Sequence, residues 1–375
     1  MRLSALLWLR HFPNTAIGVV LGISGHAVLW RILDITPFSH DTLGGVARSA
    51  NWFFWLTGLA TYGLVATAYA LKALLHRDVV RAEFVHPIRS HFFNGPHIAA
   101  LMLALGAPPE ARAVRFLRAV WVLAAASQGA LTQTFYARWL FSDEAGLVAA
   151  KPPYLLSTVG WFLLTTLGQA AGLEEAWHLP LPSWTFGSGV AMYSLVFISI
   201  FQGMRNSPGE RGSPALFLLV APSSVAALGL AGFNGGVFGG PSAALLGFNI
   251  TMILVLMKLG PKLLAKPAVF GIYWAYVFPL AAVAACAVRQ ADAMQMGSRP
   301  VVAEVFAWIM VGIADLMLGL VFLRMTWHQV GVMRGKETWG CPIARDCDLK
   351  WRAGEAVSSQ VQAVSSQVEA VNPQL

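Results

Sequence analysis

Between residues 13 and 325 the chain is an almost unbroken series of apolar runs joined by short polar connectors. That pattern constrains the fold more than any other feature. A helix crossing the hydrocarbon core of a bilayer needs about 20 mostly apolar residues. Ten such stretches can be read, at 13–35, 50–74, 87–106, 113–140, 153–173, 183–204, 214–233, 239–259, 269–289 and 300–325. Only 12% of the 375 residues are charged, where soluble domains carry about a quarter. A water-facing surface of this size cannot be assembled from so few charges. The sequence predicts an all-α integral membrane protein with ten transmembrane helices. It divides into an N-terminal segment 1–12, a helical domain 13–328 and a tail 329–375. The first residues, "MRLSALLWLRHFPN", lack a small-residue cleavage site, so no secretory signal is expected there.

Orientation follows from the positive-inside rule. With ten crossings, 19 of the 26 Lys and Arg residues fall on the side of the two termini. Both termini are therefore expected in the cytoplasm, and the protein in the inner (plasma) membrane. The net charge of +8 is accounted for by this bias, and no nucleic-acid partner is read from it.

The breakers are unevenly shared. Pro96, Pro222 and Pro279 fall inside the third, seventh and ninth spans, whereas Pro182, Pro241 and Pro300 stand at the starts of even ones. A missing N–H costs little at a helix start; in the interior it removes a hydrogen bond and clashes with the carbonyl four residues back. The first span carries Gly18, Gly22 and Gly25, and the fifth Gly160 and Gly168. Irregular backbone at membrane depth survives where protein or a water-filled cavity satisfies the freed groups. Five broken helices alternating with five regular ones suggest an inner ring of odd helices lining a path, wrapped by an outer ring of even helices. General tolerance of membrane helices for Pro and Gly is the competing account.

Between their ends the odd spans hold no Asp or Glu, while Glu304 and Asp315 both sit on the tenth, expected to pair with Arg118 or with polar groups of neighbouring spans. Cation paths use acidic rings, and basic or partly positive linings suit anions. Arg31, Arg89 and Arg289, near span ends, are candidates for raising the local anion concentration, against simple snorkelling at the interface. His26 and His97 are the histidines well inside odd spans, and intramembrane ionisable groups are functional candidates by default. Each is read as a pore-lining or vestibule candidate or as a neutral imidazole hydrogen-bonded between helices. No metal box, nucleophile motif or acid–base constellation appears, so neither a cofactor nor an enzymatic activity is expected.

The stretches "HPIRSHFFNGPHIAALMLALGAPP" (86–109), "YLLSTVGWFLL" (154–164), "VAPSSVAALG" (220–229) and "YWAYVFPLAAVAA" (273–285) resemble the tellurite-resistance/dicarboxylate transporter family, to which the TehA proteins and the plant slow-type anion channels belong. "GVVLGISGHAVLW" (18–30) resembles its first helix. The resemblance implies ten helices, a quasi-fivefold pore made by the odd ones, and a homotrimer with one pore per protomer. It also implies a phenylalanine plug beside the kink of the ninth helix, a motif position held here by Phe278. Ser223, within the seventh-helix stretch, joins the pore-lining candidates. His26 stands where a neutral polar residue is expected, and the long regulatory termini of the plant members are missing. Family substrates range over chloride, nitrate, malate and sulfite. Two functions stay open: a passive anion channel gated by Phe278, and a proton-coupled transporter or exporter of C4-dicarboxylate, sulfite or tellurite.

In the tail, Cys341 and Cys347 flank "PIARD" and are read as free thiols, since no second pair completes a zinc site. Valines 357, 361, 364, 368 and 371 follow a 4-3-4-3 spacing, an a/d seam. Two heptads of Val, Ser and Gln are weak helix formers, so the repeat is read as disordered unless a trimer brings three copies together.

Overall fold

The structure, a computed structural model, describes residues 7–37, 43–141, 150–206, 214–258, 273–294 and 301–333. Among these the chain is nearly all helical. The principal helices are α1 Ile17–Ile35, α2 Gly45–Leu75, α3 Gly95–Leu105, α4 Val114–Leu140, α5 Leu155–Ala170, α6 Leu181–Asn206, α7 Val220–Phe233, α8 Gly240–Met257, α9 Trp274–Met294 and α10 Val301–Met333. Short helices at Leu7–Arg10, Arg77–Val85 and Leu173–Trp177 lie in the connections. Cys341, Cys347 and the valine repeat fall outside the described residues.

Among the described residues, seven stretches, those of α1, α2, α6, α7, α8, α9 and α10, are long and apolar enough to cross a membrane. The shortfall from ten has a local cause. Even with its 3-10 segment, 6 residues before the 11 of the α-helix, α3 is short for a crossing, and α5, with 3 residues before its 16, carries Ser157, Thr158, Thr165, Thr166 and Gln169 in its apolar run. Helix α4 has 27, but Arg115, Arg118, Gln128, Gln133 and Arg138 interrupt its apolar run. Four helices also outrun their predicted spans: α2 begins at Gly45 instead of 50, α6 runs from Leu181 to Asn206 around 183–204, α9 reaches Met294 past 289, and α10 continues to Met333 past 325. Hydropathy marks only the part of a helix that lies in hydrocarbon.

Odd and even helices differ in burial. In α1, α7 and α9 the buried share of the apolar stretch is 78, 78 and 72%; in α2, α6, α8 and α10 it is 11, 22, 22 and 33%. Helices α3 and α5 are buried along most of their length. Buried residues of α1 run almost continuously from Val19 to Ala27, as expected of a helix apolar on every side. In α4 they form one stripe, Leu117, Trp121, Ala124, Gln128, Thr132, Phe135 and Trp139. The outward faces of even helices are apolar too, with Leu64, Leu123, Leu316 and Leu323 well exposed. So large an exposed apolar surface fits a lipid environment and not water.

The packing follows the same division. Helix α1 packs against α3, α3 against α5, α5 against α7, α7 against α9 and α9 against α1. Each even helix lies on odd partners: α2 on α1, α4 on α3 and α5, α6 on α5, α8 on α7, and α10 on α9.

Four odd helices open with a 3-10 segment: Asn14–Ala16 before α1, Arg89–Asn94 before α3, Pro152–Tyr154 before α5 and Pro214–Leu219 before α7. Pro96 and Pro222 stand in the first α-helical turn after such a segment. Neither kinks an α-helix, because first-turn N–H groups have no intrahelical partner to lose; there the irregularity is a change of helix type. Pro279 alone of the three stands inside its α-helix.

Candidate functional site

The five odd helices enclose a cavity of about 390 Å³. Its lining comes from Gly25, Val28, Arg31 and Ile32 of α1, Met102 and Leu105 of α3, Leu163, Thr166 and Gln169 of α5, Val225 and Leu228 of α7, and Phe278, Ala281 and Arg289 of α9. Arg112, from the connection between α3 and α4, joins them. On every helix these residues run from the middle toward the C-terminal end. Helices in sequence-odd positions thus share one direction, and the cavity occupies the end where they finish. No residue of an even helix, and no Asp or Glu, lines it among the described residues.

Phe278 stands at the deep end. It is 4% exposed, and its ring reaches across to α1. A Cβ added to Gly25 would come within 3.2 Å of the ring carbon Cδ2 and 3.4 Å of Met102 Cε. A glycine and a flexible methionine on facing helices therefore leave the room the ring fills. One residue on, Pro279 removes the hydrogen bond to the Ala275 carbonyl, so the ring is carried on a weakened turn.

Three arginines stand toward the open end. Arg31 is 8% exposed and lies 3.5 Å from Asp34 Oδ2, one turn along its own helix. Arg289 donates to the Gly236 carbonyl at 2.7 Å and lies 3.6 Å from Asp292. Arg112 was not singled out from the sequence, because it falls in a connector. Burial pulls its guanidinium below the ordinary value, yet an arginine remains a cation in a protein.

The other sequence candidates turn away from this cavity. His26 is fully buried between α1, α2 and α10. Its Nδ1 lies 3.0 Å from the Gly22 carbonyl and its Nε2 3.3 Å from the Ala314 carbonyl. The Asp315 carboxylate is 3.5 Å off, and the ring rests near Phe54 with centroids 5.5 Å apart. Asp315 thus approaches His26; Arg118 instead donates to the Ala171 carbonyl at 3.1 Å. His97 Nε2 lies 2.6 Å from Gln128 Oε1 on α4. Gly160 faces that same Gln128, whose amide donates to the Ser157 carbonyl and leaves no space for a side chain. Gly22 likewise makes room for the Trp274 ring. Ser223 bonds to Asn249 of α8.

Arg89 lies farther away, in the 3-10 segment before α3. It is 3.5 Å from Glu83 Oε1, and Glu83 also receives Lys72 Nζ and the Tyr69 hydroxyl, each at 2.8 Å. Lys72 and Glu83 are both fully buried, and Lys72 also donates to the Phe12 carbonyl at 2.7 Å. The cluster ties the N-terminal segment, α2 and the start of α3 together.

Comparison with known proteins identifies the family. Residues 11–326 match the family described as SLAC1, voltage-dependent anion channel. The S-type anion channel SLAH2 of Arabidopsis thaliana is 30% identical over 329 residues, which cover 84% of this chain and 60% of that protein. The guard cell S-type anion channel SLAC1 of the same plant is 27% identical over 296 residues, covering 76% and 51%. A tellurite resistance protein TehA homolog of Haemophilus influenzae is 22% identical over 315 residues, covering 81% and 89%. The matched region thus spans only about half to three fifths of those two plant relatives. A membrane protein whose cavity is fashioned from alternate helices and which matches over nearly its whole helical domain belongs to the SLAC1 family of voltage-dependent anion channels.

Proposed function

We propose that the chain passes small anions across the membrane through a path enclosed by α1, α3, α5, α7 and α9, with Phe278 as its gate. The cavity carries this reading: its apolar wall comes from the odd helices, arginine and no carboxylate lines it among the described residues, and an aromatic ring ends it. Positive linings without acidic rings suit anions, and a ring in a narrow lumen excludes a hydrated ion. The pairwise packing of odd helices on one another, and of even helices on them, supports ten crossings arranged as an inner ring within an outer one. For that count α3 and α5 cross with their 3-10 segments included. Both termini then lie in the cytoplasm of an inner or plasma membrane, with the arginine-bearing cavity opening to the opposite side. The family resemblance adds a homotrimer with one pore per protomer, for which the exposed apolar faces of the even helices offer ample surface.

A proton-coupled carrier of C4-dicarboxylate, sulfite or tellurite is the second reading. It calls for a titratable group beside the substrate, and His26 and His97 face even helices instead. The channel is favoured on that ground. Reversal potentials of purified protein in planar bilayers separate the two. With a chloride gradient the potential is expected to follow chloride, whether or not a pH gradient is imposed. A potential that shifts with the pH gradient supports the carrier, and one that follows potassium refutes anion passage.

A further inference from the structure

The short helix Arg77–Val85, between α2 and the 3-10 segment before α3, has two arginines and two acids, RDVVRAEFV, and sorts them by direction. Both acids are taken by side chains from elsewhere. Glu83 is fully buried against Lys72 and Arg89, and Asp78 receives Arg10 at 2.9 Å. The arginines gain no such partner. Arg77 and Arg81 stand four residues apart, hence on one face; both are exposed and make no ion pair among the described residues. Exposed Arg138 of α4 adds a third cation one turn on, where it donates to the Phe84 carbonyl at 3.3 Å and lies over the Phe84 ring. A helix of zero formal charge thus shows a positive surface.

Apolar exposure runs directly into that surface. The outward face of α2 exposes Leu56, Leu64 and Leu71, and continues through Leu74 and Leu75 of its last turn, immediately before Arg77. Val85 is exposed at the other end of the short helix. Trp8, 56% exposed, belongs to the segment whose Arg10 meets Asp78, and exposed tryptophans gather at headgroup depth. A helix with arginines beside exposed apolar side chains lies in the plane of a membrane interface. We propose that Arg77, Arg81 and Arg138 bind the headgroup of an anionic phospholipid whose acyl chains lie along Leu74 and Leu75 of α2. A guanidinium fork matches phosphate oxygens, whereas a zwitterionic headgroup brings its own cation, which the arginines repel. The unbroken passage from lipid-facing leucines to arginines selects a lipid over a free anion. At this end α2 and α4 finish, cytoplasmic in the proposed orientation. The site needs the membrane setting but not the anion path, and would stand in a carrier as in a channel. Glu83 on the inner side of the same helix holds Lys72 of α2 and Arg89 before α3, so a headgroup on the outer side clamps that joint.

Native mass spectrometry of the intact purified protein reads lipid binding without conduction. The protein is titrated with phosphatidylglycerol or with phosphatidylcholine of the same acyl chains. Each basic residue near an anionic surface contributes about fivefold in affinity. Phosphatidylglycerol is therefore expected to bind more than about tenfold more tightly than phosphatidylcholine. As a ligand of the folded state, it is also expected to raise the thermal midpoint. Combining Arg77→Gln with Arg81→Gln is expected to weaken phosphatidylglycerol binding on the order of twentyfold, with phosphatidylcholine binding and the lipid-free thermal midpoint unchanged. The paired lysine substitutions keep the charges and are expected to retain most of the affinity. Arg115→Gln, at an exposed arginine near the opposite end of α4, is expected to leave binding as in wild type. Equal affinity for the two lipids, or a glutamine variant that binds phosphatidylglycerol as wild type does, overturns the site. Displacement of the lipid by an equal concentration of its deacylated headgroup, glycerophosphoglycerol, marks a site for free anions and overturns the lipid as occupant. Anion conductance enters none of these readings, so failure of the channel and failure of the lipid site are separately visible.

Discussion

The odd helices have two faces, and polarity is distributed between them in a way a water-filled pore would not suggest. Among the described residues the face toward the cavity is nearly all apolar, ends at Phe278 and carries charge only where the arginines stand. The face toward the even helices is where hydrogen bonds concentrate. Asn51 of α2 donates to the carbonyls of Ala27 and Gly106, each at 2.9 Å. Trp55 donates to Leu103, Trp121 to Leu164, Tyr193 to Leu219 and Ser242 to Ala227. Each is a side chain of an even helix reaching a main-chain carbonyl of an odd one or of a segment flanking it. Such bonds matter because a backbone group left unsatisfied at membrane depth costs several kcal/mol. The polar groups hold the assembly, and in the proposed channel the apolar face controls passage. Changes on the two faces should therefore be separable into conductance effects and stability effects.

The lumen side should show the largest change. Phe278→Ala removes the ring and leaves the fold's hydrogen bonds intact. Anion conductance is expected to rise on the order of a hundredfold, equivalent to about 2.7 kcal/mol of barrier. Single-channel or flux measurements check it, with expression followed because truncating a packed Phe costs about 3–5 kcal/mol. Unchanged current in well-folded protein would remove the gate and with it the division between faces.

On the seam, Gln128→Leu should do the reverse. Gln128 serves His97, Thr132 and the Ser157 carbonyl at once, and its loss leaves buried groups unpaired at about 1–3 kcal/mol. Gly160→Ala attacks the same place by volume, pushing a methyl into the Gln128 amide, with overpacking costs of about 1–3 kcal/mol. For both, the thermal midpoint is expected to fall. Conductance per folded channel, read in a Phe278→Ala background, is expected to hold within about twofold. If conductance moves and stability does not, the assignment of faces is reversed. Ser223→Ala, which deletes a single link to Asn249, is expected to cost about 1 kcal/mol.

What the sequence reveals follows the same two faces. The alternation of broken and regular spans is legible because Pro and Gly leave direct marks on backbone geometry, and Phe278 beside Pro279 is legible as a pair. The direction of His26, His97 and Ser223 is not. Helices such as α1 and α7 are buried on all sides, so hydrophobic periodicity, which would normally tell inside from outside, is absent from them. Arg112 is hidden for a different reason: it belongs to a connector, where basic residues serve as topology signals. Its only local cue is its place a few residues past the end of α3. The Lys72–Glu83 pair joins residues from the end of α2 and the following short helix, and only folding brings them together.

The smallest effect belongs to His26, and it tests the seam at its most polar point. Were the imidazole in the path, protonation would add a positive charge there, and anion conductance would rise as pH falls through the histidine range near 6.5. Its ring instead lies between the carbonyls of Gly22 and Ala314, behind α1 as seen from the cavity. A neutral imidazole donates to one of these and leaves the other to its helix partner. His26→Gln keeps one donor of similar reach, so stability is expected to drop by no more than about 1 kcal/mol, one ordinary hydrogen bond. The pH profile of conductance between about pH 5.5 and 8 should superimpose on that of wild type. Currents through the Phe278→Ala protein, with and without His26→Gln, measured in symmetrical chloride, provide the comparison. A flattened profile in the double variant would put His26 in electrostatic reach of the permeating anion and return a polar group to the lumen face.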